Sequence, residues 1–192
     1  MKTILASASP RRRELIKLIN SDALCISADI DENVPESIEI ESAPEFLACK
    51  KAIAVAGKYK NDLVIGCDTT VFIESIPLGK PKDRQDAFNM LNLLSGRSHK
   101  VITGCCLCLS GKTLSFSVES KVRFLNLNEE DINEYLNTNE YIDKAGAYGI
   151  QGKGSLLVEK IEGDYFNIVG LPVSMLNKRI KEFLNENNCK NI

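Results

Sequence analysis

The stretch LVIGCDTTVF, residues 63–72, constrains this chain more than any other. Its apolar residues run almost without a break instead of alternating with polar ones. That pattern predicts a strand covered on both faces. Into the run fall Asp68, Thr69 and Thr70. A carboxylate in a buried strand is costly unless it is paired, hydrogen-bonded or metal-bound. One reading is a threonine-capped strand end in which Asp68 bonds backbone amides. The reading we favour is functional: an acid at a strand end beside an anion site can bind metal or activate water.

An anion site is predicted at the N-terminus, MKTILASASPRRRELIKLI. Residues 3–8 read as a short buried strand, and Ser9 as the cap of a helix with Pro10 at its first position. The apolar stripe of that helix would be Leu15, Ile16, Leu18 and Ile19. At 100° per residue, Arg13 and Lys17 fall on the opposite, solvated face. Arg11 and Arg12 instead lie within the angular range of the stripe, one turn nearer the strand end. The junction thus offers backbone N–H groups, two serine hydroxyls and two guanidiniums to an anion. The plain alternative is a capped helix with surface arginines.

The chain as a whole carries a formal charge of −2, which argues against a nucleic-acid partner, as does the lack of basic residues interleaved with aromatics. The triple arginine is a local feature that favours a small anionic ligand. Seven cysteines, an odd number without a CxxC, read as reduced and mostly structural thiols of a cytosolic protein. His99 stands alone, with no ligand spacing to a cysteine pair, and is expected to be structural. The arginines come too early to leave room for a signal peptide's apolar core, and no run approaches transmembrane length. A cytoplasmic protein without a membrane partner is expected.

Between Asp29 and Glu45 lie seven acidic residues and no basic one, the pattern of a solvated loop whose DIDE beginning could supply a metal ligand. APEFLACKKAIAVAGK reads as a helix with Phe46, Leu47, Ile53 and Ala54 inward, and with Lys50 and Lys51 as ordinary surface. Lys80 and Lys82 sit on a loop just before Asp83, the expected cap of a helix closed by Gly96. VITGCCLCL and TLSFSVESKVRFL read as antiparallel strands joined at Ser110-Gly111-Lys112. Asn128 should cap a further helix, with Leu127 and Ile132 as its staple. In DKAGAYGIQGKG, four glycines in nine positions predict a loop whose backbone passes close to a ligand. GDYFNIVGLPVSML reads as a turn, an apolar strand and a proline-started helix, and the tail from Asn185 as frayed.

Three of these stretches together resemble the Maf family of nucleoside triphosphate pyrophosphatases: LASASPRRRELI; GCDTTVF with GKPKD and AFNMLNLLSGRSHKVITG; and DKAGAYGIQGKG with VEKIEGDYFNIVGLP. They occur in the family's order, from residue 4 to about 176. The resemblance implies an α/β fold like that of inosine triphosphatase: a long mixed, bent β-sheet flanked by helices, with two lobes and a central cleft, in a single domain over residues 1–192. It implies cleavage between the α and β phosphates with help from Mg²⁺ or Mn²⁺, and members are often homodimers. By position, Asp68 matches the general base. Arg11, Thr69 and Gln151 match positions tied to substrate preference. Ser7, Ser9, Arg12, Lys51, Lys80 and Lys82 match positions lining the phosphate end, and Glu32 falls near an acidic position that, with Asp68, would bind the metal. DKAGAYGIQG and GDYFNIVGLP are similar to the dTTP/UTP-preferring branch. The 7-methyl-GTP branch, which typically has a glutamate-containing segment around Gln151, is the alternative, and a non-enzymatic nucleotide-sensing regulator of cell division is the competing class.

Overall fold

Seven strands pair into one mixed sheet: β1 (Thr3–Ala6), β2 (Leu24–Cys25), β3 (Leu63–Ile73), β4 (Ile76–Leu78), β5 (Ser98–Leu109), β6 (Lys112–Phe124) and β7 (Val158–Glu162). Their order is β2-β1-β3-β5-β6-β7, with β4 hydrogen-bonded to β3. β1 runs parallel to both β2 and β3, setting Ile4 opposite Val64 and Leu5 opposite Ile65. β4 and β7 are antiparallel to β3 and β6. The computed structural model describes residues 1–188, so Cys189 lies outside the described residues.

The chain divides into two compact units. Met1–Asp68, Thr103–Val118 and the chain from Gly170 onward make the first; Thr69–Ile102 and Glu119–Val169 make the second. In the first, β3 is buried from Leu63 to Cys67, as its unbroken apolar run predicts. Helix α1 (Pro10–Ile16) starts as expected, with the Ser9 side chain accepting from the Arg12 N–H and proline at the first turn. It stops sooner than its periodicity suggests. The N–H groups of Leu18 and Ile19 bond three residues back, tightening the last turn, and Leu18 is left 65% exposed.

Helix α2 (Ala43–Ala56) buries Leu47, Ala48, Ala52 and Val55, whereas Ile53 and Ala54, expected inward, are exposed. The reason is steric. A Cβ at Gly66 on β3 would overlap the Ala48 carbonyl, and one at Gly104 on β5 would overlap the backbone of Pro44 and Glu45. The helix rests on bare strand backbone, which only its small residues allow. Ala48, Ala52 and Val55 pack there with Ile4, Ala6, Val64, Cys106 and Cys108. Strands β5 and β6 meet at the expected short turn, which is two residues long with Ser110 and Gly111 both at positive φ.

In the second unit, α3 (Arg84–Leu94) is capped by Asp83 and followed by Gly96 at φ 66°, and α4 (Glu129–Leu136) carries a full capping box between Asn128 and Asp131. The apolar segment expected as a strand is instead a short helix, α5 (Tyr165–Val169). Its N–H groups are taken locally: Phe166 donates to the Asp164 side chain and Ile168 to the Asp164 carbonyl. In the first unit the final helix, α6 (Val173–Asn188), passes through Asn185, so the described part of the tail is helical rather than frayed.

Candidate active site

Two groups of the predicted residues are assembled, one in each unit. The first forms where α2 crosses β3. Side chains alternate along a strand, so Asp68 shares a face with Gly66, the residue on which α2 rests. Lys51 lies one turn beyond Ala48 on the same side of that helix. Its Nζ therefore reaches Asp68 Oδ1 at 2.6 Å, and it also meets Glu32 Oε1 at 2.8 Å. The side chains of Lys51 and Asp68 are only 12% and 15% exposed, whereas Glu32 is 61% exposed on its loop. Lys50 Nζ donates to the Asp31 carbonyl at 2.5 Å, so adjacent lysines tie down the DIDE segment.

At the strand–helix junction the arginines divide as their angles predict: Arg13 is exposed, while Arg11 and Arg12 are half-buried. Arg12 Nη1 donates to the Cys67 carbonyl at 2.9 Å and its Nε to the Gly170 carbonyl at 2.7 Å. One guanidinium thus ties α1 to the residue before Asp68 and to the chain entering α6. Ser7 Oγ accepts from the Ser9 N–H, and Ser9 Oγ from the Arg12 N–H. Both serines build the turn as acceptors, and a hydroxyl that accepts can still donate. With α1 only seven residues long, charge at this junction comes mainly from side chains.

The second group surrounds the glycine-rich loop. Thr69 shares its face of β3 with Val71, whose side chain lies against Gly146, and the Gly146 N–H donates to the Gly79 carbonyl at 3.0 Å. That bond joins the loop to the segment carrying Lys80 and Lys82, both exposed. Gln151 is also exposed, on extended backbone just before the 3-10 turn Gly152–Leu157. Its surroundings are fixed by residues that the sequence did not single out. Tyr135 Oη accepts from the Gly149 N–H at 3.2 Å, and Glu140 accepts from the Lys153 N–H at 2.9 Å. Tyr148 is buried, bonded through its hydroxyl to His99 Nε2 at 2.8 Å and packed edge-on against Phe124. Burial raises the Tyr148 pKa and holds that of His99 down to about 4. His99 is a structural residue of this loop's foundation. That agrees with the expectation for His99, whereas its place beneath this loop has no signal in the sequence.

Glu32 and Asp68 offer the hard oxygen donors that a Mg²⁺-type ion takes, and their meeting on one ammonium marks a place where positive charge is satisfied. Among the described residues no group of three His, Cys, Asp or Glu could hold a metal. Two carboxylates fit an ion that draws most of its ligands from outside the protein, not one enclosed by it.

Comparison with known proteins follows the same residues. A family model described as Maf-like protein matches residues 2–183 and so includes both groups. The chain belongs to the Maf-like family. A dTTP/UTP pyrophosphatase of Clostridioides difficile (strain 630) is 48% identical over 190 residues, covering 97% of each chain. One of Thermosipho africanus (strain TCF52B) is 49% identical over 175 residues, covering 91% of this Maf-like chain and 89% of the relative. Among solved structures, a HAM1 protein from Coxiella burnetii shares the fold, with a TM-score of 0.54 at 14% identity over 95% of this chain and 99% of the other.

Proposed function

We propose that this Maf-like protein hydrolyses dTTP and UTP to the nucleoside monophosphate and pyrophosphate. The observation that carries the reading is Asp68: a largely buried carboxylate at the centre of β3, held by Lys51, in a chain 48% identical to a protein named for that activity. Asp68 orients a water and takes its proton as the oxygen attacks the α-phosphorus. Arg11, Arg12, Lys51, Lys80 and Lys82 hold phosphate oxygens, with hydrogen bonds from Ser7 and Ser9, and so stabilise charge that accumulates on the leaving pyrophosphate. Lys51 balances the Asp68 carboxylate until substrate arrives. Glu32 and Asp68 would hold Mg²⁺ or Mn²⁺, which supplies charge neutralisation at the phosphates. Thr69 and Gln151 select the base. An amide offers both donor and acceptor to a pyrimidine edge, and unpaired polar groups reject a wrong ligand.

The proposal extends to a cytoplasmic homodimer acting on free nucleotides, without nucleic acid or membrane. The net charge of −2 speaks against a nucleic-acid partner, and among the described residues no helix is long and apolar enough to cross a membrane. Pyrophosphate release measured with Mg²⁺ or Mn²⁺ across dTTP, UTP, CTP, 7-methyl-GTP and the purine triphosphates tests the reading. Metal-dependent release confined to dTTP and UTP is expected. Release from 7-methyl-GTP alone would move the chain to the other branch, and no release from any would favour the nucleotide-sensing regulator.

A further inference from the structure

The contact between α2 and the sheet contains thiols for which the hydrolytic mechanism has no use. Cys49 on α2 is half-buried, and Cys106 and Cys108 beneath it on β5 are buried. Gly104 and Cys106 share one face of β5, and Glu45 and Cys49 stand one turn apart on α2. Where Gly104 meets Glu45 the helix touches bare strand backbone. One step along both elements sets Cys49 over Cys106, in the buried cluster that Cys49 packs against, while the Cys106 thiol itself faces the Leu107 carbonyl at 3.8 Å. A helix this close to its sheet suits the short Cβ separation a disulfide needs.

We propose that Cys49 and Cys106 form a peroxide-reactive pair that closes into a disulfide and switches off turnover, the effect on turnover resting on the activity proposed above. The Cys49 thiolate attacks a hydroperoxide oxygen. The S–O bond forms, the O–O bond breaks, and the departing oxygen leaves as water or alcohol after taking a proton. Cys106 then attacks the sulfenic sulfur, the S–S bond forms, and the hydroxyl leaves as water with the Cys106 proton. Two thiols are oxidised and one peroxide is reduced. Cys49 is the entry point because it is the member of the pair with access to solvent. The neighbouring Cys106 thiol, and to a smaller extent Ser115, lowers its pKa to about 7 against the opposing effects of burial and Glu45.

The link to turnover is short. Lys51, which holds Asp68 at 2.6 Å, is two residues from Cys49 on the same helix. Closing the bond brings the two sulfurs to roughly 2.05 Å, and because α2 already rests on the β5 backbone the strain falls on the helix turn that carries Lys51. The neighbouring pair Cys67 and Cys105, with sulfurs 3.6 Å apart, is wholly buried and lacks an entry thiol.

The test uses the reduced full-length protein, one equivalent of hydrogen peroxide, peptide mapping and pyrophosphate release. A peptide linking Cys49 to Cys106 is expected, with turnover falling roughly tenfold to a hundredfold, as for an active-site displacement on the order of 1 Å. Dithiothreitol should restore it. Cys49→Ser should form no linked peptide and lose no activity, and in Cys106→Ala the Cys49 sulfenic acid should be trapped by dimedone. Linkage through other cysteines first, Cys189 included, or a loss that persists in Cys49→Ser, overturns the pairing. A linked peptide with unchanged turnover overturns the switch. The peptide map is read whether or not the reduced protein releases pyrophosphate, so failure of the thiol pair and failure of the activity are separate results.

Discussion

Asp68 was conspicuous because its residue type conflicts with its setting, a carboxylate inside an apolar run. Its partner Lys51 was not conspicuous, since a lysine on a helix is ordinary. What joins them is the face shared by Gly66 and Asp68, a tertiary fact. Asp68→Asn keeps the shape of the side chain and leaves Lys51 its contact with Glu32. Pyrophosphate release should fall about 10²–10⁴-fold, the usual cost of losing a positioned base, with the thermal midpoint nearly unchanged. Near-normal turnover in a folded sample would remove Asp68 from the role. Gln151 is exposed, so a change there touches ligand before fold. Gln151→Glu is expected to change the ratio of kcat/KM values between pyrimidine and other triphosphates more than their sum. Uniform losses across substrates would argue for a general role instead.

Among the elements, strand β3, the caps at Ser9, Asp83 and Asn128, and the β5–β6 turn follow from local chemistry, and the sequence shows each of them. The inward face of α2 does not follow. The helix is apolar nearly all round, so periodicity cannot choose a side, and the bare backbone at Gly66 and Gly104 makes the choice. Gly104→Ala puts a Cβ against the backbone of Pro44 and Glu45, where no side chain can swing away. A loss of about 1–3 kcal/mol or more is expected from overpacking, read as a lower denaturant midpoint with an unchanged slope. A neutral result would mean that α2 does not rest on β5. Tyr165–Val169 departs from the expected strand for a related reason: a short apolar run suits strand or helix, and the Asp164 cap decides for helix.

The whole chain passes between its two units four times, at Asp68–Thr69, Ile102–Thr103, Val118–Glu119 and Val169–Gly170, and the first three crossings lie inside β3, β5 and β6. Neither unit is a contiguous segment, so neither can be excised as one. Stability at this scale should carry the signature of His99. Its pKa is 6.5 in the unfolded chain and about 4 when buried, so between those values the unfolded state binds the extra proton. The stabilisation is present above about pH 6.5 and is lost as the pH falls toward 4, by on the order of 3 kcal/mol. Thermal unfolding from pH 7 to pH 4 should show this loss, and His99→Gln should flatten it. An equal acid slope in the variant would assign the loss to other groups. The amino-acid sequence by itself determined β1, β3, β5 and β6, the caps, the split among the arginines and the family, because these rest on neighbours in the chain and on ordered motifs. Tertiary structure decided the pairing of Lys51 with Asp68 and Glu32, the face of α2, and the His99–Tyr148 support beneath the Gln151 loop. Each of these depends on which backbones come close enough to touch, and no spacing along the chain records that distance.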